Sequence, residues 1–264
     1  MTTLELTLSE RKLIPTAEVI VVLVALTDAN TQTHTQSHIH ARTYHKPAVV
    51  IGATGATGTS LVKNLLIHRD YTNVHVFARK EATLKDENLH WHVVDFDAFD
   101  SWKDQIKGDT LFSAMGTTLA TAGSKDAQYK IDYTYQHDVA QAAANNGVSN
   151  LVLLSSTGSS SKSPFFYCKI KGQLEDAVRE MNFKSVHIFQ PGMLERGEFQ
   201  RSNEKFGLKC LNAINNLGIL RSQRPINVDF LARQMIRASY LVSGTKVHTY
   251  SPTQIWDFHK SINK

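Results

Sequence analysis

The sequence predicts an α/β protein built on a doubly wound parallel sheet with a small C-terminal cap. Two observations carry that expectation. Short apolar runs alternate with helical periods from Pro47 onward, and such βαβ order calls for a parallel sheet covered by helices on both faces. The length, 264 residues, suits one α/β domain or one domain with a small appendage.

The elements follow in order. Ala48-Val49-Val50-Ile51 reads as the first strand. A helix is expected from Gly58 to Arg69, with Leu61, Leu65 and Leu66 on one face. Asn73–Ala78, Leu89–Phe96 and Asp109–Met115 are the next three strands. A long helix runs from Gln128 to Asn146, where Ile131, Tyr135, Val139 and Ala142 recur at helical spacing. Leu151–Leu154 is the fifth strand, Phe166–Met181 a helix and Ser185–Phe189 the sixth strand. Beyond Pro191 the pattern is mostly helical, with helices expected at Glu204–Asn216 and Val228–Tyr240. A strand at Lys246–Tyr250 and a helix at Gln254–Ile262 close the chain. Residues 191–264 form the cap on this reading, and 47–264 the whole folded domain.

Residues 1–46 lack such a period and hold the tract Thr31-Gln32-Thr33-His34-Thr35-Gln36-Ser37-His38-Ile39-His40. They read as an extension, disordered in part. His34, His38, His40 and His45 have the spacing of metal ligands, yet the tract fits a polar tail better and no metal is expected. Hydrophobic residues make up 42% and charged residues 20%, values ordinary for a globular protein. The net charge of +5 suits an anionic ligand, but no Lys/Arg run carries interleaved aromatics, which argues against nucleic acid as a partner. Two cysteines, Cys168 and Cys210, give neither a disulfide framework nor a metal spacing and favour a reducing compartment. The best apolar run, Val19–Leu26, is short for a membrane span, and the opening Met1-Thr2-Thr3-Leu4-Glu5 lacks a basic start. Lys and Arg are sparse before residue 46, so a transit peptide is not expected and the cytoplasm is the default location.

Gly52-Ala53-Thr54-Gly55-Ala56-Thr57-Gly58 lies between the first strand and the first helix. Glycines in this context allow a tight turn, close approach of backbone to a pyrophosphate, and close packing of helix on sheet. The helix N-terminus then offers N–H groups to the anion. The second strand ends Phe77-Ala78-Arg79-Lys80, about 20 residues past the last glycine, where an NAD site carries Asp or Glu. Arg79 can pair instead with a 2′-phosphate, which points to NADP(H) rather than NAD(H). Asp95-Phe96 ends the third strand and is counted with the cofactor-binding residues, Phe96 facing the ligand and Asp95 as either an acceptor for an adenine amino group or a turn residue.

Tyr167 and Lys171 are spaced i, i+4 and share a helix face. A free phenol titrates near about 10, and a neighbouring ammonium favours its phenolate. Lys171 can therefore tune Tyr167 while binding a nicotinamide ribose. Ser155 and Ser156 end the fifth strand, and one of them, with Ser156 the first choice, can hold a carbonyl oxygen that Tyr167 protonates as hydride arrives. Lys169, at i+2, faces elsewhere, and Cys168 reads as a packing residue.

These stretches, with Ser113-Ala114-Met115-Gly116-Thr117-Thr118, Ala122-Gly123, Lys130-Ile131-Asp132, Leu154-Ser155-Ser156, Phe165 through Glu175 and Gln190-Pro191-Gly192, resemble one family. It is the atypical short-chain dehydrogenase/reductases similar to human HIV Tat-interacting protein 2, with fungal mitochondrial and bacterial relatives. The resemblance covers residues 47–260. It implies an NADP(H)-bound Rossmann domain with Ser, Tyr and Lys at its active site. Ala114, Met115 and Gly116 would line the cofactor, and Pro191-Gly192 would border the nicotinamide. Gln190 stands where relatives commonly have Arg, and residues 1–46 have no clear counterpart. The resemblance also brings mitochondrial association as an alternative location. An oxidoreductase acting on an unidentified small carbonyl or alcohol is the expected function. A non-enzymatic NADPH sensor that binds a protein partner is the alternative. Nucleotide-sugar epimerisation ranks low, since the C-terminal part is short for that substrate.

Overall fold

In the computed structural model the described residues are 46–195, 224–241 and 245–261. The histidine-bearing extension, Cys210 and the helix expected at Glu204–Asn216 lie outside them. The strands are β1 (Lys46–Ile51), β2 (Tyr71–Ala78), β3 (Leu89–Val93), β4 (Thr110–Ser113), β5 (Asn150–Leu154), β6 (Ser185–Phe189), β7 (Leu194–Glu195), β8 (Ile226–Asn227) and β9 (Val247–Tyr250). Seven of them form one sheet in the order β3-β2-β1-β4-β5-β6-β9, with every pair parallel. β7 and β8 form a separate parallel pair. The strand order reverses between β1 and β4, and the crevice beyond the carboxyl ends at such a switch point is where open α/β sheets bind ligands.

The apolar run of β1 is explained by burial on both faces. Ala48 and Val50 pack with Leu61 and Leu65 of α1 (Ala56–Leu66). Val49 and Ile51 point the other way, into a second cluster with Val139, Ala143, Leu174 and Val178. A period of two therefore serves two hydrophobic layers at once. α2 (Leu119–Ala122) is capped by Thr118 and ends at Gly123, whose φ is +85°. α3 (Lys125–Tyr129), a π turn (Lys130–Thr134) and α4 (Tyr135–Asn145) succeed one another directly. The helix expected from Gln128 thus starts earlier and carries a widened turn.

Two strand ends differ from expectation. β3 stops at Val93 because Asp95 accepts a hydrogen bond from Asp97 N at 2.9 Å and starts a 3₁₀ turn at Phe96. β4 stops at Ser113, although Ala114 N still donates to Ile51 O at 3.0 Å. α5 (Phe166–Glu180) covers the second layer. α6 (Val228–Ala238) lies beside α1 and is tied to it by Asn64, which donates to Asp229 at 2.7 Å. Asn227 caps α6 by accepting from Asp229 N and Phe230 N. β9 adds the seventh strand beside β6, and α7 (Pro252–Ser261) follows. The described part of the expected cap therefore completes the sheet and one helical layer. Among the described residues no helix is long and apolar enough to cross a membrane.

Candidate active site

The three glycines after β1 do different work. Gly52 has φ +78°, and a Cβ there would lie 2.5 Å from Ala114 C and Met115 N. It lets the first turn press against the end of β4. A Cβ on Gly58 would lie 2.0 Å from Gly52 O, so that glycine lets α1 sit directly on the turn. A Cβ on Gly55 would meet nothing closer than Gly52 O at 3.4 Å, and Gly55 faces the cavity. Gly55 is also the N-cap of α1 and supplies no side-chain cap, which leaves the first turn's N–H groups to an incoming anion.

That cavity has a volume of about 1010 Å³ and runs along the carboxyl ends of β1, β4 and β5. Gly55, Ala56 and Thr57 line one end, and Ala114, Met115 and Gly116 its floor. Ser155, Ser156, Tyr167, Lys171, Pro191 and Gly192 also line it. The structure therefore gathers most of the residues singled out in the sequence around one cleft. Thr54, Arg79, Lys80 and Asp95 are exposed and do not line it. Arg79 and Lys80 follow β2, at the same sheet edge as the glycine turn. Phe96 is buried between Trp102 and Tyr135, with ring centroids 5.3 and 5.1 Å away, so it belongs to the core.

α5 carries a column at i+4 spacing: Tyr167, Lys171, Glu175 and Arg179. Tyr167 stands at the mouth, 37% exposed. Gly172 fixes the helix in place, since a Cβ there would lie 2.1 Å from Ser160 C. Lys171 is 2% exposed and donates to Met115 O at 3.3 Å and Leu154 O at 3.4 Å. Its ammonium is 3.6 Å from the carboxylate of Asp132, which is wholly buried on the π turn. Burial lowers the Lys171 pKa from its ordinary value, and Asp132 opposes that fall. Burial raises the Asp132 pKa, and Lys171 opposes that rise. Asp132 Oδ1 also accepts from Thr117 N at 3.3 Å, while Oδ2 is buried without a hydrogen bond.

The two strand-end serines separate clearly. Ser155 is buried and donates to Glu175. Gln190 Nε2 donates to both oxygens of that carboxylate at 2.9 Å, and Arg179 pairs with it at 3.6 Å. Gln190 thus has a neutral role, holding Glu175. Ser156 is half-buried, lines the cavity, and meets Thr157 O at a marginal 3.4 Å. Of the two, Ser156 has the hydroxyl that can turn to a ligand. Cys168 is half-buried, and Lys169 is exposed. Asp132 and Glu175 were missed as site residues. The available signals were the i+4 step from Lys171 to Glu175 and the polar pair Asp132 and Gln136 on the helix face that continues with Val139 and Ala143.

A parallel sheet with a glycine turn at its switch point, beside a Ser, Tyr, Lys cleft, defines a nucleotide-binding protein with an oxidoreductase-like Rossmann fold. A family model described as NAD(P)H-binding matches residues 52–206. Protein FMP52, mitochondrial, of Saccharomyces cerevisiae is 31% identical over 227 residues, 82% of this chain and 97% of that protein. Its namesake in Meyerozyma guilliermondii is 36% identical over 163 residues, covering 60% and 69%. Protein HTATIP2 of Rattus norvegicus is 33% identical over 154 residues, covering 57% of this chain and 63% of that protein. The chain belongs to this NAD(P)H-binding family, as an atypical short-chain dehydrogenase/reductase of the HTATIP2 and FMP52 kind. Two solved structures share the fold. The Bordetella bronchiseptica enzyme WbmG in complex with NAD superposes with a TM-score of 0.58 at 15% identity, covering 81% of this chain and 74% of that one. A short chain dehydrogenase family protein from Francisella tularensis gives 0.55 at 15%, covering 80% and 98%.

Proposed function

We propose that the chain is an NADP(H)-dependent oxidoreductase acting on a carbonyl or alcohol substrate. One observation carries the proposal: Tyr167 and Lys171, one helical turn apart, line the same cleft as Gly55, with Ser156 beside them. The residues fit a dinucleotide, because Gly55 leaves open the space where any other side chain would project and α1 lacks a side-chain cap. Gly55, Ala56 and Thr57 would hold the pyrophosphate, and Ala114, Met115 and Gly116 the stretch beyond it. Arg79 and Lys80, exposed past β2, would take the 2′-phosphate, which favours NADP(H) over NAD(H). Pro191 and Gly192 would border the nicotinamide, whose chemistry when bound is to give or accept a hydride.

The chain's own residues then do the acid–base work. Ser156 holds the substrate oxygen, and Tyr167 gives its phenolic proton to that oxygen in reduction or removes a proton in oxidation. Lys171, fixed by two carbonyls and Asp132, supplies positive charge that favours the phenolate. Glu175 and Gln190 hold the strand end through Ser155.

The test is purified protein, NADPH and a panel of aldehydes and ketones. Tyr167→Phe is expected to abolish turnover while leaving NADPH binding intact; retained turnover removes Tyr167 from the mechanism. If no compound turns over while a protein partner binds differently with and without NADPH, the sensor reading replaces this one. We also place the chain in a reducing compartment, the cytoplasm or, following the names of the FMP52 relatives, the mitochondrion. Subcellular fractionation distinguishes the two.

A further inference from the structure

Part of the cleft's lining is unlike the glycine turn and strand ends that would hold a dinucleotide. Leu119, Phe166, Met193 and Leu194 give it apolar walls, and Leu119 and Met193 are exposed there. Phe166 and Tyr167 both line this cavity, so the proposed proton donor and one of these apolar side chains open onto the same space. Among the described residues, the charged side chains lining the cavity are Lys125 and Lys171, and no described carboxylate lines it. Lys171 is already engaged by Met115 O, Leu154 O and Asp132. Lys125 is different. Its ammonium lies 5.5 Å from the centroid of the Phe166 ring, and among the described residues it pairs with no carboxylate. Thr118 and Thr121, whose hydroxyls are 2.9 Å apart, line the same cavity and add polar groups able to donate. The cavity, of about 1010 Å³, reaches from the glycine turn at Gly55 to Met193 and Leu194.

We infer that the substrate is a carbonyl compound, or its alcohol, bearing an anionic group on an aromatic or aliphatic body, with Lys125 holding the anion. This rests on the oxidoreductase reading and names its substrate class. The apolar walls take the body, Thr118 and Thr121 assist at the anion, and the reacting oxygen is left to Ser156 and Tyr167. Lys125 sets specificity and takes no part in the proton transfer.

The experiment measures binding, so it does not depend on turnover. Protein saturated with NADPH is titrated calorimetrically with 4-tert-butylbenzoate and with 4-tert-butylbenzamide, a neutral match of similar shape. The acid is expected to bind about tenfold more tightly than the amide, the scale of one hydrogen bond to a charged group. Lys125→Ala should erase that preference, and Lys125→Arg should retain most of it. Equal binding of the two probes to the wild type, or a preference that survives Lys125→Ala, overturns the inference. So does a loss of NADPH affinity in Lys125→Ala, because Lys125 would then serve the cofactor. Reduction of 4-carboxybenzaldehyde is followed separately. If neither it nor any compound of the aldehyde and ketone panel is reduced while the acid preference and its dependence on Lys125 persist, the oxidoreductase reading falls and the anion site stands.

Discussion

Gly55→Ala and Gly52→Ala lie three residues apart and should fail in opposite ways. At Gly55 the backbone is extended, with φ −81°, and the new Cβ would be 3.4 Å from Gly52 O, an ordinary contact. Losing glycine there restricts the unfolded chain, worth about 0.4–1 kcal/mol in favour of the fold, against a small loss at the N-cap. Stability should stay within about 1 kcal/mol of wild type. At Gly52 the backbone has φ +78°, and the Cβ would be 2.5 Å from two backbone atoms after β4. The left-handed conformation costs about 1–2 kcal/mol, and forcing the backbone apart costs about 1–3 more. That sum corresponds to a fall in Tm of roughly 5–15 °C for a domain of this size. Thermal unfolding with and without NADPH, with a fluorescence titration of the cofactor, separates the two. At a hundredfold excess over Kd the cofactor should add about 2.7 kcal/mol to the wild type. Gly55→Ala should keep the wild-type Tm without cofactor and lose most of the gain, because its methyl group occupies the pyrophosphate's space. Wild-type NADPH affinity in Gly55→Ala would refute the assignment of this turn to the pyrophosphate.

Three further outcomes are expected. Arg79→Ala should weaken NADPH binding about tenfold and leave NADH binding unchanged, as read by paired fluorescence titrations; equal effects on both would remove Arg79 from cofactor choice. Asp132→Leu should cost about 3–5 kcal/mol in urea unfolding, since it strands the buried Lys171 ammonium. Asp132→Asn should cost less, and by removing the charge that holds the Lys171 pKa up it should move the alkaline limb of the pH–rate profile to lower pH. His187 is fully buried, and burial pushes its pKa down to about 4. The unfolded chain takes up that proton near pH 6.5 and the folded chain does not, so stability present above that pH is lost as pH falls through about 4. The loss by pH 5 is roughly 2 kcal/mol, and an imidazole resonance of His187 titrating near pH 6.5 would contradict it.

The sequence made some of this visible for reasons that the structure explains. Ala48-Val49-Val50-Ile51 was legible as a strand because both of its faces are buried, so each residue had to be apolar. The strand at Ser185–Phe189 matches its expected bounds, and Tyr167 with Lys171 was legible because an i+4 step depends on helix geometry alone. The π turn at Lys130–Thr134 was not legible, since one widened turn leaves no mark on a short apolar period. β7 and β8 are two residues each, too short for any period. Asp132 and Glu175 were missed because charged helical residues default to solvent, and their burial depends on partners far along the chain, Lys171 for one and Ser155 and Gln190 for the other. Phe96 looked like a strand-end residue facing a ligand, but the cap formed by Asp95 folds it into the core.

Isotope transfer bears most closely on the chemistry assigned to this cleft. The protein is incubated with 4-carboxybenzaldehyde and with NADPH carrying deuterium at either C4 position of the nicotinamide, and the alcohol product is weighed by mass spectrometry. One of the two labelled cofactors should deliver its deuterium to the carbinol carbon, and Tyr167→Phe should deliver none. Unlabelled alcohol from both cofactors would contradict hydride transfer at this site.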